Sequence, residues 1–187
     1  MNLSRKTHGA IGGAAPSQIR EYATGPSQVL VNVVTFGSIA SVNYSPLELP
    51  HNATAYGIVV FHGAAVAGNF YVALYDSLNY APRNRLAVSA STAVSAINCM
   101  QYVPFTVPVN LPSGLYYCAL EVDTTVGNQW YSNAIANRCM LPANINNGLL
   151  WYTEDLGLYA IPPAVATPVI EVSAGDTFSM RLRVLGI

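Results

Sequence analysis

Charge is what this sequence has least of. Asp, Glu, Lys and Arg make up 9% of its 187 residues, against about 25% in an ordinary globular domain. Lys6 is the only lysine. A folded chain of this mass exposes ~8,700 Å². Eight basic and nine acidic residues therefore amount to about one charge per 500 Å² of that surface. The net charge of −1 leaves no electrostatic footprint for nucleic acid or for an anionic lipid surface.

Other absences narrow the class further. No stretch holds a helical period beyond about two turns. The longest greasy run, IVVFHGAAVA at residues 58–67, is about half the length a membrane-spanning helix needs, and it contains His62 and Gly63. Arg5 and Lys6 are followed by THGAIGGAAPS, too polar and Gly-rich for the core of a secretion signal. Three cysteines, Cys99, Cys118 and Cys139, are an odd number without CxxC spacing, which argues against a disulfide framework or a zinc site. Cys118 lies in YYCALEV, on the face shared with Tyr116, Leu120 and Val122, and reads as a buried core thiol. His8, His51 and His62 are not spaced as metal ligands. No GxSxG, HExxH or P-loop motif is present, and GAIGGA at residues 9–14 has neither a preceding strand nor a following GK[ST]. The expectation is a protein without catalysis and without a cofactor.

What is present is apolar and aromatic. Hydrophobic residues make up 52% of the chain, with twelve tyrosines. From Val29 onward, short runs rich in Val, Ile, Thr and Tyr alternate with turn signals such as LPHNA, NLPSG and NINNG, the pattern of an all-β sandwich or barrel. Strands are expected at 29–36, 42–49, 55–62, 69–76, 85–91, 100–107, 115–122, 129–136, 149–153, 157–161, 168–173 and 177–185. The segment FYVALYDSLNYAPRNRLAVSAS at residues 70–91 stands out. Its first strand is greasy on both faces, with Phe70, Val72 and Leu74 on one side and Tyr71, Ala73 and Tyr75 on the other. Such a strand needs cover on both sides. The reading is a sandwich core on one face and a neighbouring subunit on the other. Arg83 and Arg85 are read as a solvated turn or an intersubunit contact.

Residues 1–27 are rich in Gly, Ala, Ser and Pro and lack either period. They are read as an extended arm, with residues 28–187 as the sandwich domain. Main-chain strand addition onto a partner would order such an arm, with Arg5, Lys6, Ile11, Ile19, Arg20 and Tyr22 as its anchoring residues.

The segments FYVALYDSLNYAPRNRLAVSAS and MQYVPFTVPVNLPSGLYYCALEV, with the closing VSAGDTFSMRLRV, resemble jelly-roll proteins of tailed-bacteriophage virions. Those are capsid decoration (cement) proteins and fibre tips. The resemblance covers about residues 55–122 plus the closing strand. It implies a jelly-roll β-sandwich with an extended N-terminal arm. It also implies a structural role on the capsid surface, with the major capsid protein and further copies of the chain, as a homotrimer, for partners. It carries no catalytic residues. The alternative within the same resemblance is a receptor- or glycan-binding domain of a head or tail fibre.

Three further groups of residues are candidates for chemistry or recognition. Glu121 and Asp123 alternate along one strand and share a face. They read as a solvated strand end, a glycosidase-like pair or half a calcium site. Glu154 and Asp155 read as a polar loop or as part of a carbohydrate or calcium site. Tyr71, Tyr75, Trp130, Tyr131, Trp151 and Tyr152 read as core or interface aromatics, or as platforms on which a surface glycan stacks.

Overall fold

The computed structural model describes residues 18–23, 32–35, 41–63, 67–123, 129–133, 151–171, 177–178 and 180–186. Fourteen strands follow in chain order: β1 Ile19–Ala23, β2 Asn32–Thr35, β3 Ser41–Leu49, β4 Ala53–Phe61, β5 Asn69–Leu78, β6 Ala81–Val88, β7 Thr92–Ala93, β8 Met100–Leu111, β9 Gly114–Val122, β10 Gln129–Asn133, β11 Trp151–Asp155, β12 Val169–Glu171, β13 Thr177–Phe178 and β14 Met180–Gly186. Among the described residues there is no helix, so the all-β expectation holds.

The largest sheet runs β12-β11-β3-β9-β5-β6, with β7 beside β5; a second runs β1-β14-β4-β8, and a small third runs β13-β10-β2. Every strand pair is antiparallel. The two larger sheets pack face to face as a jelly-roll β-sandwich. Alternation along each strand builds the core. Phe70, Val72 and Leu74 of β5 and Cys118, Leu120 and Val122 of β9 meet Ile58 and Val60 of β4, Val103 of β8 and Leu182 of β14.

The other face of the largest sheet carries a second buried cluster: Val42, Tyr44, Ala73, Tyr75, Tyr117, Ala119, Tyr152 and Ala166. Four of these are tyrosines. Burying one such ring removes about 150–250 Å² from water, a gross gain of about 4–6 kcal/mol per ring at ~25 cal/mol/Å². The cover comes from the chain itself. Residues 156–168 leave β11 and run over this face to β6. There Arg85 N donates to Ala164 O at 2.9 Å and Ala166 N to Arg83 O at 2.7 Å. The chain then returns to β12, which pairs with β11. The neighbouring subunit expected over this face is thus replaced by the chain's own flap.

Three further expectations are corrected. Residues 157–161 form no strand but the start of the flap: Gly157 has φ +72°, and the Pro162-Pro163 pair that follows lacks the N–H groups a ladder needs. Arg83 and Arg85 are not in a turn but in strand β6. The turn is Asn79-Tyr80, both at positive φ, the geometry of a two-residue hairpin of the mirror-image type. Finally, strands do not begin at Val29. Residues 19–23 form β1, which pairs along β14 from Ile19↔Leu185 to Ala23↔Arg181. The stretch of the arm holding Ile19, Arg20 and Tyr22 is therefore seated on its own sandwich.

Candidate functional site

Two surfaces are candidates for a functional site. The first is the tyrosine face under the flap. Tyr44 and Tyr75 meet edge to face at 5.1 Å between ring centroids, and Tyr117 and Tyr152 at 5.7 Å. The hydroxyls all find partners, as buried tyrosines require. Tyr44 donates to Glu154 Oε2 at 2.7 Å and Tyr75 to Pro163 O at 2.6 Å. Tyr117 and Tyr152 both donate to Tyr80 O. Burial pushes the Tyr44, Tyr75 and Tyr117 hydroxyls well above the usual phenol range, so they stay neutral donors.

The flap is held through both main-chain and side-chain atoms. Besides its pairing with β6, Pro162 O accepts from the Arg85 guanidinium, and Ala160 N donates to Glu121 Oε1 at 2.9 Å. Thr167 donates to Glu154 twice, through N at 3.1 Å and Oγ1 at 2.7 Å. Tyr159 stacks on Tyr71, 5.2 Å between centroids, and its hydroxyl meets Ser91 Oγ at 2.8 Å.

Three of the six aromatics singled out in the sequence fall on this face. Tyr75 and Tyr152 are buried, taking the core role of the two read for them, and Tyr71 is half-buried with Tyr159 stacked on it. Trp130 and Tyr131 lie on β10 and Trp151 on β11; their side chains fall outside the described residues, as do Arg5, Lys6 and Ile11.

The acidic pairs also separate. Glu121 is fully buried, whereas Asp123 caps the start of β5, accepting from Asn69 N at 2.8 Å and Asn69 Nδ2 at 2.9 Å. Each is occupied by a different structural task, and they share no open site. Glu154 is spent on Tyr44 and Thr167, and Asp155 accepts from Gly157 N at 2.8 Å, closing the turn into the flap. Among the described residues no group of three or more His, Cys, Asp or Glu converges as a metal site. His62 is fully buried. Its ring meets Gln101 Oε1 at 2.7 Å, and burial lowers its pKa, favouring the neutral form.

The second surface is the outer face of the four-stranded sheet, with the exposed part of β8 beside it. Tyr56, Met100 and Tyr102 are exposed here, Met100 by 62%, and Val107, 68% exposed, lies further along β8 where that strand does not pair with β4. A short ionic row flanks them. Glu21 of β1 accepts from Arg183 Nη2 at 2.7 Å and Nε at 3.1 Å, and its other oxygen lies 3.5 Å from Arg181. Arg183 in turn lies over the Tyr102 ring, 4.2 Å from its centroid, and Arg181 over Phe61 at 5.0 Å. Beneath Tyr102 is Gly57, where a Cβ would stand 2.3 Å from Val103 O and 2.8 Å from the Tyr102 ring. The small residue lets β8 and its aromatic close over β4.

Of the six expected anchoring residues, Ile19 is 70% exposed and Arg20 is exposed. Tyr22 packs on the main core. Sequence reasoning missed Tyr56, Met100, Tyr102 and Val107; the alternation of β8 points Met100 and Tyr102 away from the core, but Tyr56 lies on β4 and Val107 shares the parity of the core residues Val103 and Phe105, so no local pattern marked the four. A scan against models of known protein families, and searches of curated proteins and of solved structures, find no match to this chain.

Proposed function

We propose that this chain is a non-catalytic structural protein of a virion surface, a decoration protein that attaches to a bacteriophage capsid lattice and adheres to further copies of itself as a homotrimer. The observation that carries this reading is the exposed apolar and aromatic surface of Tyr56 on β4 and Met100 and Tyr102 on β8, with the exposed Val107 further along β8. It lies on a chain with only 9% charged residues. Apolar groups gathered on a surface this poor in charge favour association, since little electrostatic repulsion or hydration opposes it. The second apolar face of β5 adds nothing to this reading, because the flap covers that face. The resemblance of residues 55–122 to virion jelly-roll proteins supplies the kind of assembly.

The test uses Met100→Glu and Val107→Glu together. Both side chains are more than half exposed, so the fold should survive. Light scattering should report a trimer for the wild type and a smaller species for the double variant, which should also co-sediment less with particles stripped of decoration. A wild type that is a monodisperse monomer and does not bind particles would refute the reading. Binding to glycans without binding to capsids would favour the fibre-tip alternative.

A further inference from the structure

We propose that Glu121 is a proton-operated latch for the flap of residues 156–168: the neutral acid lets the flap seat on the tyrosine face, and the ionised acid lifts it. This is independent of what the exposed surface of β4 and β8 binds.

The latch stands where sheet and flap meet. Glu121 is in β9, opposite Val42 of β3 and Tyr71 of β5, and its side chain is fully buried. One carboxyl oxygen accepts the N–H of Ala160, in the middle of the flap. The other is buried and has no hydrogen-bond partner. A neutral acid in that place leaves one hydroxyl unsatisfied. A carboxylate leaves a buried charge supported by a single N–H, which costs far more.

The groups around it do not offset a charge. Tyr44 of β3, Tyr71 and Tyr75 of β5 and Tyr159 of the flap share this face with it. Glu154 of β11 and Asp123, beyond the end of its own strand, are acids. Arg85 of β6 gives its guanidinium to Pro162 O. Burial is accordingly the main influence, pushing the Glu121 pKa up to about 7, with the Ala160 N–H pulling weakly the other way.

The sign follows from linkage. With the flap seated, Glu121 holds its proton more tightly than an ordinary glutamic acid does. The seated state therefore has its full advantage below the ordinary value of 4.5 and loses it as pH rises to about 7. Above that, ionisation favours a lifted flap that lets water reach the carboxylate. The two ends of the flap stay tied, by the pairing of β11 with β12 and by Glu154 on Thr167, so the middle moves as a unit. Lifting it uncovers Tyr75 and frees the main chain of Arg83 and Arg85 on β6.

The experiment is hydrogen exchange with mass spectrometry on the full chain at pH 5.5 and pH 8, corrected for the intrinsic exchange rate. Peptides covering residues 156–168 should lose protection by about tenfold or more at pH 8, since each unit of pKa shift is worth a factor of ten. Peptides covering β4 and β14 should keep theirs. In Glu121→Gln, which retains the acceptor for Ala160 N–H and cannot ionise, the flap should be equally protected at both pH values. Flap protection that is independent of pH in the wild type, or that falls equally in the variant, overturns the proposal. The wild type also gives a reading that needs no variant. The Glu121 carboxyl carbon, followed by NMR, should titrate near pH 7 together with the Ala160 amide. A carboxyl that titrates below pH 5, or an Ala160 amide that does not follow it, overturns the latch.

Discussion

Tyr102 lies across Gly57, one strand over, so closely that a Cβ on the glycine would fall 2.8 Å from the tyrosine ring and 2.3 Å from the Val103 carbonyl oxygen. The contact lets Arg183 reach the upper side of the same ring. A glycine, an aromatic and a guanidinium are thereby stacked across three neighbouring strands. The arrangement gives an edge region with few charges a well-packed face.

Gly57→Ala should therefore be costly at a position where glycine-to-alanine changes in strands are often mild. The added methyl forces β4 and β8 apart at a backbone contact, with no flexible side chain to yield. The expected loss is about 3 kcal/mol, or ~6–12 °C in the thermal midpoint of a chain this size. Thermal melting followed by circular dichroism measures it. A midpoint within about 2 °C of wild type would show that the strands part freely, given how little a shift of that size means in free energy.

Two truncations separate the N-terminal arm from the sandwich. Removing residues 1–18 takes nothing from β1 and should leave the melting midpoint unchanged. Removing residues 1–27 deletes β1, uncovering the edge of β14 and the core beside Tyr22 and releasing Arg181 and Arg183 from Glu21. The ion pairs are partly exposed and contribute at most about 1 kcal/mol; the half-buried ring adds about 2 kcal/mol. The longer truncation should melt lower and aggregate more readily, because it bares an unpaired strand edge. Equal stability of the two would mean that β1 contributes nothing to its sheet.

Tyr75→Phe tests the flap from the sheet side. The ring and its packing against Tyr44 remain, but Pro163 O loses the hydroxyl that donates to it. The expected cost is about 1–2 kcal/mol, or ~3–6 °C, with faster proteolytic cleavage within residues 156–168 than in wild type. Cleavage rates that do not change would place the hold on the flap elsewhere, on Arg85 or Glu154.

The cysteines should differ in reactivity. Cys118 is fully buried, and burial alone pushes its thiol well above the usual range. Cys99 is half-exposed and donates to Ala96 O at 3.3 Å. A thiol reagent added to the folded protein at pH 8 should modify Cys99 and leave Cys118 intact until denaturant is added, as peptide mass mapping would reveal. Early modification of Cys118 would mean that the core beneath β9 opens on the timescale of the reaction.

The sequence made most of the sandwich legible. The alternation of Phe70, Val72 and Leu74 against Tyr71, Ala73 and Tyr75 marks β5 as buried on both faces, and Cys118 sits on the core side of β9 as its neighbours require. Periodicity does not say whose atoms supply the second cover. Leu158, Tyr159 and Ile161 look like a strand, and only the pairing of Pro162 and Pro163 with a tyrosine face turns them into a flap. β1 was hidden for a related reason. IREYA places Arg20 beside Glu21, an unpromising strand, and the partners that make it one, Arg181 and Arg183, lie at the far end of the chain. Glu121 was visible only as one of two alternating acids. Its burial is a property of the flap and has no local signature.

The order β1-β14-β4-β8 puts the last of the described strands in the middle of its sheet, between the first strand and the fourth. A ribosome therefore releases β4 paired with β8 on one side and with its other edge bare, and that edge stays open until Met180–Gly186 has emerged. Contacts of such long sequence separation are slow to form, and partly folded chains with bare edges aggregate. The four-stranded sheet thus cannot close before β14 is made. A chain cut short anywhere before Met180 is one that the cell's chaperones and proteases, rather than its own β14, must deal with.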